Sequence, residues 1–376
     1  MRIFMLVQRE GIRGPVPKLT SHLIAALDSL GSTVVTHPWG RRSDSEHVWA
    51  TLHQRLGDVL SVRRAMQGRE FDVAIVNTAH DWRTLLRDIA VVLVIRRRCR
   101  PVILELHGSQ ASSLVTSGGH VFKLATALLL RMVDGILVLS SEEQRQVRAF
   151  RPQTAVFVVK NPYVRASFPV QGDGSDSPGL RPKLLFVGRL LREKGIFDLI
   201  EAMPHVLEEA ECNLVVVGDG ERERELRDRI QLLGLEETVS MTGYLVGDDL
   251  AREYARATVF VLPSWSEGFP TVLAEAMDAG LPIVTTRIRG AVDHLVDGEH
   301  ALFVEPRDVD ALASALVALL RNSGLRARMA EANRERIELF DPLVVAAEYL
   351  QVLQSLVRER GGHPHSPLAS GFRSEV

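Results

Sequence analysis

The sequence predicts an α/β protein made of two doubly wound domains, each a parallel sheet with helices on both faces. Three observations support this prediction. Short β-branched segments alternate with longer helical segments along most of the chain. A segment rich in Pro, Gly, Ser and Asp interrupts the alternation near the middle, after which it starts again. The length of 376 residues fits two domains of ordinary size.

The first domain is predicted to span residues 1–164. Its predicted strands are short and rich in β-branched residues: RIFMLV, STVVTH, FDVAIVN, PVILELH, DGILVLS and TAVFVV. Helices are predicted between them at Lys18–Leu30, Arg83–Arg98 and His120–Met132. Because strands and helices alternate, the sheet is expected to be parallel.

The second domain is predicted at residues 183–341, after a linker at 165–182 whose composition contributes little core. Its predicted strands are KLLFVG, CNLVVVG, ETVSMTG, ATVFVLP and LPIVTT. Its predicted helices are Phe197–Ala210, Arg222–Leu233 and Pro270–Ala279. A C-terminal helix is expected at residues 342–360, followed by a disordered tail at 361–376.

Composition and charge exclude several classes of protein. The formal net charge of −2 gives no general field for nucleic acid. The apolar segments IAVVLVI and LATALLL are far below the ~18 residues of a membrane span. The N-terminal MRIFMLVQREG reads as a first strand rather than a signal peptide. Cys99 and Cys212 fall in different predicted domains, which is typical of a reducing compartment. We therefore expect a cytoplasmic protein.

One stretch, SWSEGFPTVLAEAMDAGLP, places Glu267 in a predicted loop and Glu275 inside a predicted helix. Pro270 is expected in the first helical turn, which leaves the amides from Thr271 onward without helix partners. Free amides at a helix N-terminus bind anions such as phosphate. Glu275 lies one turn further on, in reach of a polyol beside that phosphate. A nucleotide offers this pair of groups as diphosphate and ribose.

Two cations follow the first strand of the second domain. In FVGRLLREKGIFDL, Arg189 and Lys194 lie on the loop that opens the next helix, where ligands of doubly wound sheets bind, so they are placed to hold a diphosphate. A Gly-Asp-Gly turn in VVVGDGEREREL follows the next strand but lacks the third glycine of a dinucleotide fingerprint. The simpler alternatives are a solvated basic loop, a tight turn and, for the glutamates, solvated or dipole-complementing charges.

Taken together and in this order, GRLLREKG, VGDGERERELR, SWSEGFPTVLAEAMDAGLPIVTT and LVDGEHALFVEP resemble family 4 of the retaining glycosyltransferases. The resemblance is close over the second domain and loose over the first. It implies the GT-B architecture, with two Rossmann-like domains facing each other across a cleft. It also implies a nucleotide-diphosphate sugar as donor and transfer with retained anomeric configuration.

The resemblance further implies roles for single residues. Arg189 and Lys194 match the arginine and lysine that bind the donor diphosphate. Glu275 matches the glutamate that binds the ribose, and Glu267 matches the one that contacts the transferred sugar. The backbone expected to meet sugar hydroxyls and phosphate comprises Gly268, Phe269, Thr271 and Val272.

In the first domain, His107 ends a predicted strand in VILELHGSQASS and matches a family histidine beside the donor sugar. A structural polar residue is the alternative. The family's glycine-rich loop after the first strand, which faces diphosphate and acceptor, is here QREGIRGPVPKLT, with Gly11 and Gly14 but two prolines. Asp293 replaces the family's more frequent glutamate. Both departures bear on the choice of acceptor.

No metal or other cofactor is expected, because Arg189, Lys194 and the helix N-terminus already face the charge that grows on the departing diphosphate. Asp308 and Asp310 precede ALASALVALL, where an aspartate is an expected N-cap and metal ligation is the alternative. The basic run Arg96–Arg100 complements a helix C-terminus, and contact with an anionic membrane surface is kept as the alternative.

The sequence therefore predicts a metal-independent retaining glycosyltransferase of polysaccharide biosynthesis, acting on a glycan, lipid-linked or small-molecule acceptor. A nicotinamide-dependent dehydrogenase is disfavoured because the first strand leads into REGIRGPVP and not Gly-x-Gly-x-x-Gly. The alternative is a catalytically silent sugar-nucleotide-binding or scaffold subunit of a glycan-assembly system. The presence of Arg189, Lys194, Glu267 and Glu275 counts against it.

Overall fold

A computed structural model describes residues 1–9, 16–39, 51–78, 80, 82–106, 119–166, 168 and 181–361. The chain forms two compact units. Unit 1 comprises Met1–Pro162 together with the segment that starts at Pro342, and unit 2 comprises Tyr163–Asp341. The chain therefore leaves unit 1, builds unit 2 and returns to unit 1 with its last helix.

Unit 1 contains a six-stranded parallel sheet in the order β2-β1-β3-β4-β5-β6. The strands are β1 (Arg2–Gln8), β2 (Thr33–Trp39), β3 (Val73–Thr78), β4 (Val102–Leu106), β5 (Gly135–Val138) and β6 (Val156–Val158). Phe4 and Leu6 of β1 belong to the core on one face, while Ile3 and Met5 belong to the core on the other. Burial on both faces explains why this strand is continuously apolar.

Six helices of the described part of unit 1 cover this sheet: α1 (Val16–Ser29), α2 (Thr51–Ala65), α3 (Trp82–Arg96), α4 (His120–Met132), α5 (Ser141–Phe150) and α13 (Pro342–Glu359). Helix α13 packs against α1. Its Tyr349 hydroxyl donates a 2.7 Å hydrogen bond to the buried carboxylate of Glu105 on β4. This contact and the burial of Leu353 fix the last helix on unit 1.

Unit 2 contains a second six-stranded parallel sheet, in the order β12-β11-β10-β7-β8-β9. Its strands are β7 (Lys183–Val187), β8 (Asn213–Val217), β9 (Val239–Gly243), β10 (Val259–Leu262), β11 (Ile283–Thr286) and β12 (Ala301–Val304). Its helices are α6 (Ile196–Glu209), α7 (Glu223–Leu232), α8 (Gly247–Arg256), α9 (Thr271–Asp278), α10 (Arg289–His294), α11 (Val309–Arg321) and α12 (Ser323–Arg336), with 3-10 turns at Arg192–Lys194 and Ile337–Phe340. The strand order places β7 beside β10, where the order of a doubly wound sheet reverses.

Every strand and helix predicted from the sequence is present, and the fold class is confirmed as two Rossmann-like α/β units. The prediction omitted β12 and several helices, among them α2, α5, α8, α10 and α12. Helix α5 had a recognisable signal, because Ser140 accepts from the Glu143 amide at 3.2 Å as an N-cap. Strand β12 has only four residues, too few for a clear period.

The structure bears on the predicted start of α9 and on the predicted linker. Pro270 was expected in the first turn of its helix, but its ψ of 133° is extended and the helix begins at Thr271, so the proline is the N-cap. Most of the predicted linker and of the predicted tail lies outside the described residues. The described start of the linker belongs to unit 2, because Asp278 of α9 accepts from Tyr163, Arg165 and the amide of Ala166.

Cys99 lies in unit 1 and Cys212 in unit 2, as predicted, and both are buried free thiols. Burial raises the pKa of Cys99 to about 12 and that of Cys212 to about 11. Both therefore stay protonated and unreactive near neutral pH. Within the described ranges, no helix is both long and apolar enough to cross a membrane.

Candidate active site

The candidate site lies in unit 2 at the carboxyl ends of the neighbouring strands β7 and β10. Arg189 and Lys194 follow the end of β7 at Val187, and Glu267 follows the end of β10 at Leu262. Ligands of doubly wound sheets bind at this edge, at the strand pair where the order reverses. The fold thus brings together three of the residues predicted from the sequence.

The loops after β7 and β10 are held against each other by backbone contacts. The amide of Trp265 donates to the carbonyl of Glu193 at 2.8 Å. Gly195 has a φ of 70°, and a Cβ there would overlap the carbonyl of Pro263. Only glycine adopts this conformation freely at such a close approach. The position of Lys194 relative to Glu267 is therefore set by rigid backbone.

The Lys194 ammonium forms an ion pair with the Glu267 carboxylate. Burial lowers the pKa of Lys194; nearby Glu193 opposes this shift and Arg189 adds to it. The Arg189 side chain is exposed and makes no ion pair or hydrogen bond within the described part of the chain. The site thus contains one cation held by a carboxylate and one that faces solvent.

The N-terminus of α9 provides backbone donors on the same loop. The Leu273 amide donates to the Pro270 carbonyl at 3.0 Å, and no side chain caps the helix. The amides of Thr271 and Val272 make no hydrogen bond within the described ranges. These amides and the positive end of the helix favour an anion.

Phe269 contributes its backbone rather than its ring. The ring is buried and stacks on Phe340 with centroids 5.0 Å apart, and it meets the edge of His294. Gly268 is fixed in turn, because the Gly290 amide donates to its carbonyl at 2.9 Å and a Cβ at Gly290 would overlap it. The aromatic core thereby holds the loop that precedes α9.

Glu275 lies one turn into α9 and accepts a 2.7 Å hydrogen bond from the Tyr254 hydroxyl. Tyr254, at the C-terminal end of α8, is only 1% exposed. Burial, followed by the charge of Glu275, raises the pKa of Tyr254. The tyrosine therefore remains a donor and fixes the orientation of the carboxylate.

Two further residues were missed by the sequence reasoning. Tyr254 had no local signal, because its partner is distant in the chain. Trp265 lies in SWSEGFPTVLAEAMDAGLP, two residues before Glu267. Its Nε1 donates to Asp198 at 2.6 Å, and the Arg307 guanidinium lies 4.0 Å from its ring centroid. Burial raises the pKa of Asp198, and the hydrogen bond from Trp265 opposes this shift. Trp265 thus fixes the loop two residues before Glu267.

Several predicted residues have other outcomes. His107, Gly11 and Gly14 lie outside the described residues. Asp308 caps α11 by accepting from the Ala311 amide at 2.9 Å, which confirms the N-cap prediction. The described residues contain no cluster of three or more His, Cys, Asp or Glu suited to a metal ion.

The sequence matches the model of the family "Glycosyl transferases group 1" over residues 173–336. It is 30% identical over 306 residues to a glycogen synthase of Mycobacterium tuberculosis, covering 77% of this chain and 71% of that protein. The chain belongs to the glycosyl transferases group 1 family. This membership confirms the resemblance and the prediction of a transferase, and it removes the dehydrogenase alternative.

Two further comparisons concern the sequence and the fold of this group 1 glycosyltransferase. It is 36% identical over 182 residues to a phosphatidyl-myo-inositol mannosyltransferase of Mycobacterium leprae, and this match spans about half of each protein, 48%. Its fold is similar to that of Anabaena HepE, with a TM-score of 0.71 at 19% identity, covering 94% of this chain and 100% of that one. The likeness confirms the two-domain GT-B fold.

Proposed function

We propose that this glycosyltransferase moves a sugar from a nucleotide-diphosphate donor to a glycan, lipid-linked or small-molecule acceptor, with retention and without a metal ion. One observation supports the proposal above others. Arg189, Lys194 and the free amides of Thr271 and Val272 share one edge of the unit 2 sheet, one helical turn from Glu275.

The donor diphosphate binds at the cations and the α9 N-terminus. Arg189 is exposed and free of ion pairs within the described residues, so it meets the diphosphate without breaking a contact. The two α9 amides add donors whose geometry is fixed before the ligand arrives. Negative charge that grows on the departing diphosphate is stabilised most by such preorganised groups.

The ribose binds at Glu275. A carboxylate accepts hydrogen bonds from two neighbouring hydroxyls, and each oxygen accepts more than one. Tyr254 occupies Oε2 of Glu275 from the buried side at 2.7 Å. This hydrogen bond fixes the orientation of the carboxylate that receives the ribose hydroxyls.

Lys194 gains a second partner when the donor binds. Its ammonium is paired with Glu267. A diphosphate beside it shares the ammonium, which has three donors. Glu267 then keeps its negative charge toward the transferred sugar, where positive charge grows at the anomeric carbon as the C–O bond breaks.

The bond changes are those of a displacement on one face. The anomeric C–O bond breaks and its electron pair leaves with the diphosphate oxygen. The acceptor hydroxyl oxygen forms the new bond on the same face, and its proton passes to the departing diphosphate. His107 lies outside the described residues, and its role beside the donor sugar stays a prediction from the family resemblance.

The named relatives are consistent with these substrates. The structure of Anabaena HepE was determined in complex with UDP and glucose. The Mycobacterium leprae relative is named a phosphatidyl-myo-inositol mannosyltransferase. A cytoplasmic location and peripheral contact with a membrane are part of the proposal.

The test measures nucleotide release from a panel of UDP-, GDP- and ADP-sugars with purified protein and a broad set of acceptors. We expect release with one donor base, reduced about 10²-fold or more by Arg189→Ala. Arg328→Gln, an exposed charge on α12, is the matched control and should leave release unchanged. Binding of nucleotide without any turnover would instead identify the scaffold subunit.

A further inference from the structure

Helix α4 of unit 1 presents an aliphatic stripe to solvent. Val121, Leu124 and Leu128 are exposed, and Leu124 is 72% exposed. Their spacing of three and four residues places them on one side of the helix. The opposite side is buried in the core through Phe122 and Leu129. The exposed residues therefore do not belong to the hydrophobic core of unit 1.

Helix α3 packs against α4 and repeats this arrangement. Leu86 and Leu93 are exposed, Leu86 by 66%, while Leu85 and Val92 are buried in the same core. The two helices contain the apolar segments IAVVLVI and LATALLL. An exposed aliphatic area on two neighbouring helices indicates a contact surface.

Arginines lie at the C-terminal ends of both helices. The Arg96 guanidinium donates to the carbonyl of Arg131 at 3.5 Å, so the two ends are side by side. Arg97, Arg98 and the side chain of Arg131 are exposed there. The acid of α3, Asp88, is buried and paired with Arg87, and α4 contains none.

The apolar stripes and the arginines together form what we call the α3–α4 surface: Leu86, Leu93, Arg97, Arg98, Val121, Leu124, Leu128 and Arg131. We infer that this surface docks on an anionic lipid bilayer. Aliphatic side chains enter the headgroup boundary, while arginines at the edge extend to lipid phosphates. The surface is cationic although the chain has a net charge of −2.

A bilayer fits this surface better than a second copy of the chain. Two copies meeting through the same patch would bring like charges together, which disfavours association. An anionic bilayer complements the positive charge of the surface and also buries its apolar side chains. The inference rests on the peripheral membrane contact of the proposed function and assigns that contact to unit 1, whereas the donor site lies in unit 2.

The first experiment is flotation of the full-length protein with vesicles of phosphatidylglycerol and phosphatidylcholine in equal parts, at low salt. We expect the protein to float with these vesicles and to remain below pure phosphatidylcholine vesicles. Binding should weaken as salt rises, because exposed charges are screened. Absence of flotation with the anionic vesicles would overturn the inference.

Two variants test the two parts of the surface. Leu86→Ser with Leu124→Ser should weaken partition about tenfold or more, since leucine burial is lost. Arg97→Gln with Arg98→Gln should weaken it about fivefold for each charge removed. The matched controls in unit 2 are Leu232→Ser, at a residue 73% exposed, and Arg328→Gln.

Equal losses of vesicle binding in the control variants would show that the bilayer does not bind at the α3–α4 surface. Sedimentation of the protein without vesicles, at increasing concentration, tests whether a second copy of the chain binds this surface instead. Dimers that disappear in the Leu86→Ser, Leu124→Ser variant would identify the surface as a self-interface and contradict the inference. Nucleotide release without vesicles should be unchanged in all these variants. A failure of docking is thus distinguishable from a failure of the proposed chemistry.

Discussion

The helices that cover the two sheets differ in what they present to solvent. In unit 2, α7 is covered by ion pairs, such as Arg227 with Glu223 and Arg229 with Glu201 of α6. In unit 1, α3 and α4 present leucines and arginines. Both sheets are six-stranded and parallel. The shared sheet determines where a ligand can bind, whereas the outer helices are free to adapt to different surroundings.

This comparison makes the two units separable by experiment, because substitutions in the unit 2 site should change catalysis and leave vesicle binding intact. The largest effect is expected for Glu267→Gln. Loss of a preorganised charge beside the reacting carbon should lower kcat by ~10²-fold or more, with little change in donor affinity. Steady-state kinetics measure this, with melting temperature as the check on folding.

Glu236→Gln, at an exposed glutamate of unit 2, is the matched control for that experiment. It should behave as the parent protein. If Glu267→Gln keeps kcat within a few-fold of the parent, Glu267 acts only as the ion-pair partner of Lys194. The predicted catalytic role of Glu267 would then be wrong.

Glu275→Gln should fail in a different way. If the carboxylate holds the ribose equally in ground and transition states, its loss raises donor KM about tenfold or more and leaves kcat at saturation intact. Donor titrations at fixed acceptor give both constants. A fall in kcat with unchanged KM would place Glu275 on the reacting sugar instead.

Tyr254→Phe tests whether the buried hydroxyl positions Glu275. Removing one hydrogen bond should raise donor KM several-fold with kcat unchanged. Tyr244→Phe, at an exposed tyrosine of the same unit, is the control. Should donor KM remain at the parent value while the melting temperature falls, Tyr254 supports only the packing of α8.

The lowered pKa of Lys194 predicts a weak alkaline loss of donor affinity. The charged form binds the diphosphate, and because its proton leaves at a lower pH than that of a free lysine, donor KM should rise as pH increases toward that range. Arg stays protonated, so Lys194→Arg should flatten the profile. Parallel profiles for both proteins would assign the titration to another group.

The smallest effect is expected for chelators. Because Arg189, Lys194 and the α9 amides already face the diphosphate, EDTA should leave turnover nearly unchanged. Activity is measured before and after extensive dialysis against chelator. Complete loss, restored by Mg²⁺ or Mn²⁺, would show that a metal is required.

The sequence by itself determined the two-unit α/β fold and most of its elements. Strands buried on both faces need continuous apolar runs, so RIFMLV and KLLFVG are visible without any partner. The position of a ligand edge also follows, since charged residues at strand ends are local in the chain. That edge and the family resemblance together predict Arg189, Lys194, Glu267 and Glu275 as site residues.

Only the tertiary structure decided which of these residues touch. Lys194 and Glu267 are 73 positions apart, and their ion pair depends on the close approach of two loops at Gly195. The hydrogen bonds of Tyr254 with Glu275 and of Tyr349 with Glu105 likewise join residues distant in the chain, and the second holds the last helix on unit 1. No local period contains this information.

The outer helices show the same limit. IAVVLVI is apolar all round, so its sequence does not say which residues face the core and which face solvent. The packing of α3 on the sheet and beside α4 buries Val92 and exposes Leu93. Local sequence sets which residues share a side of a helix, whereas neighbours distant in the chain decide which side is covered.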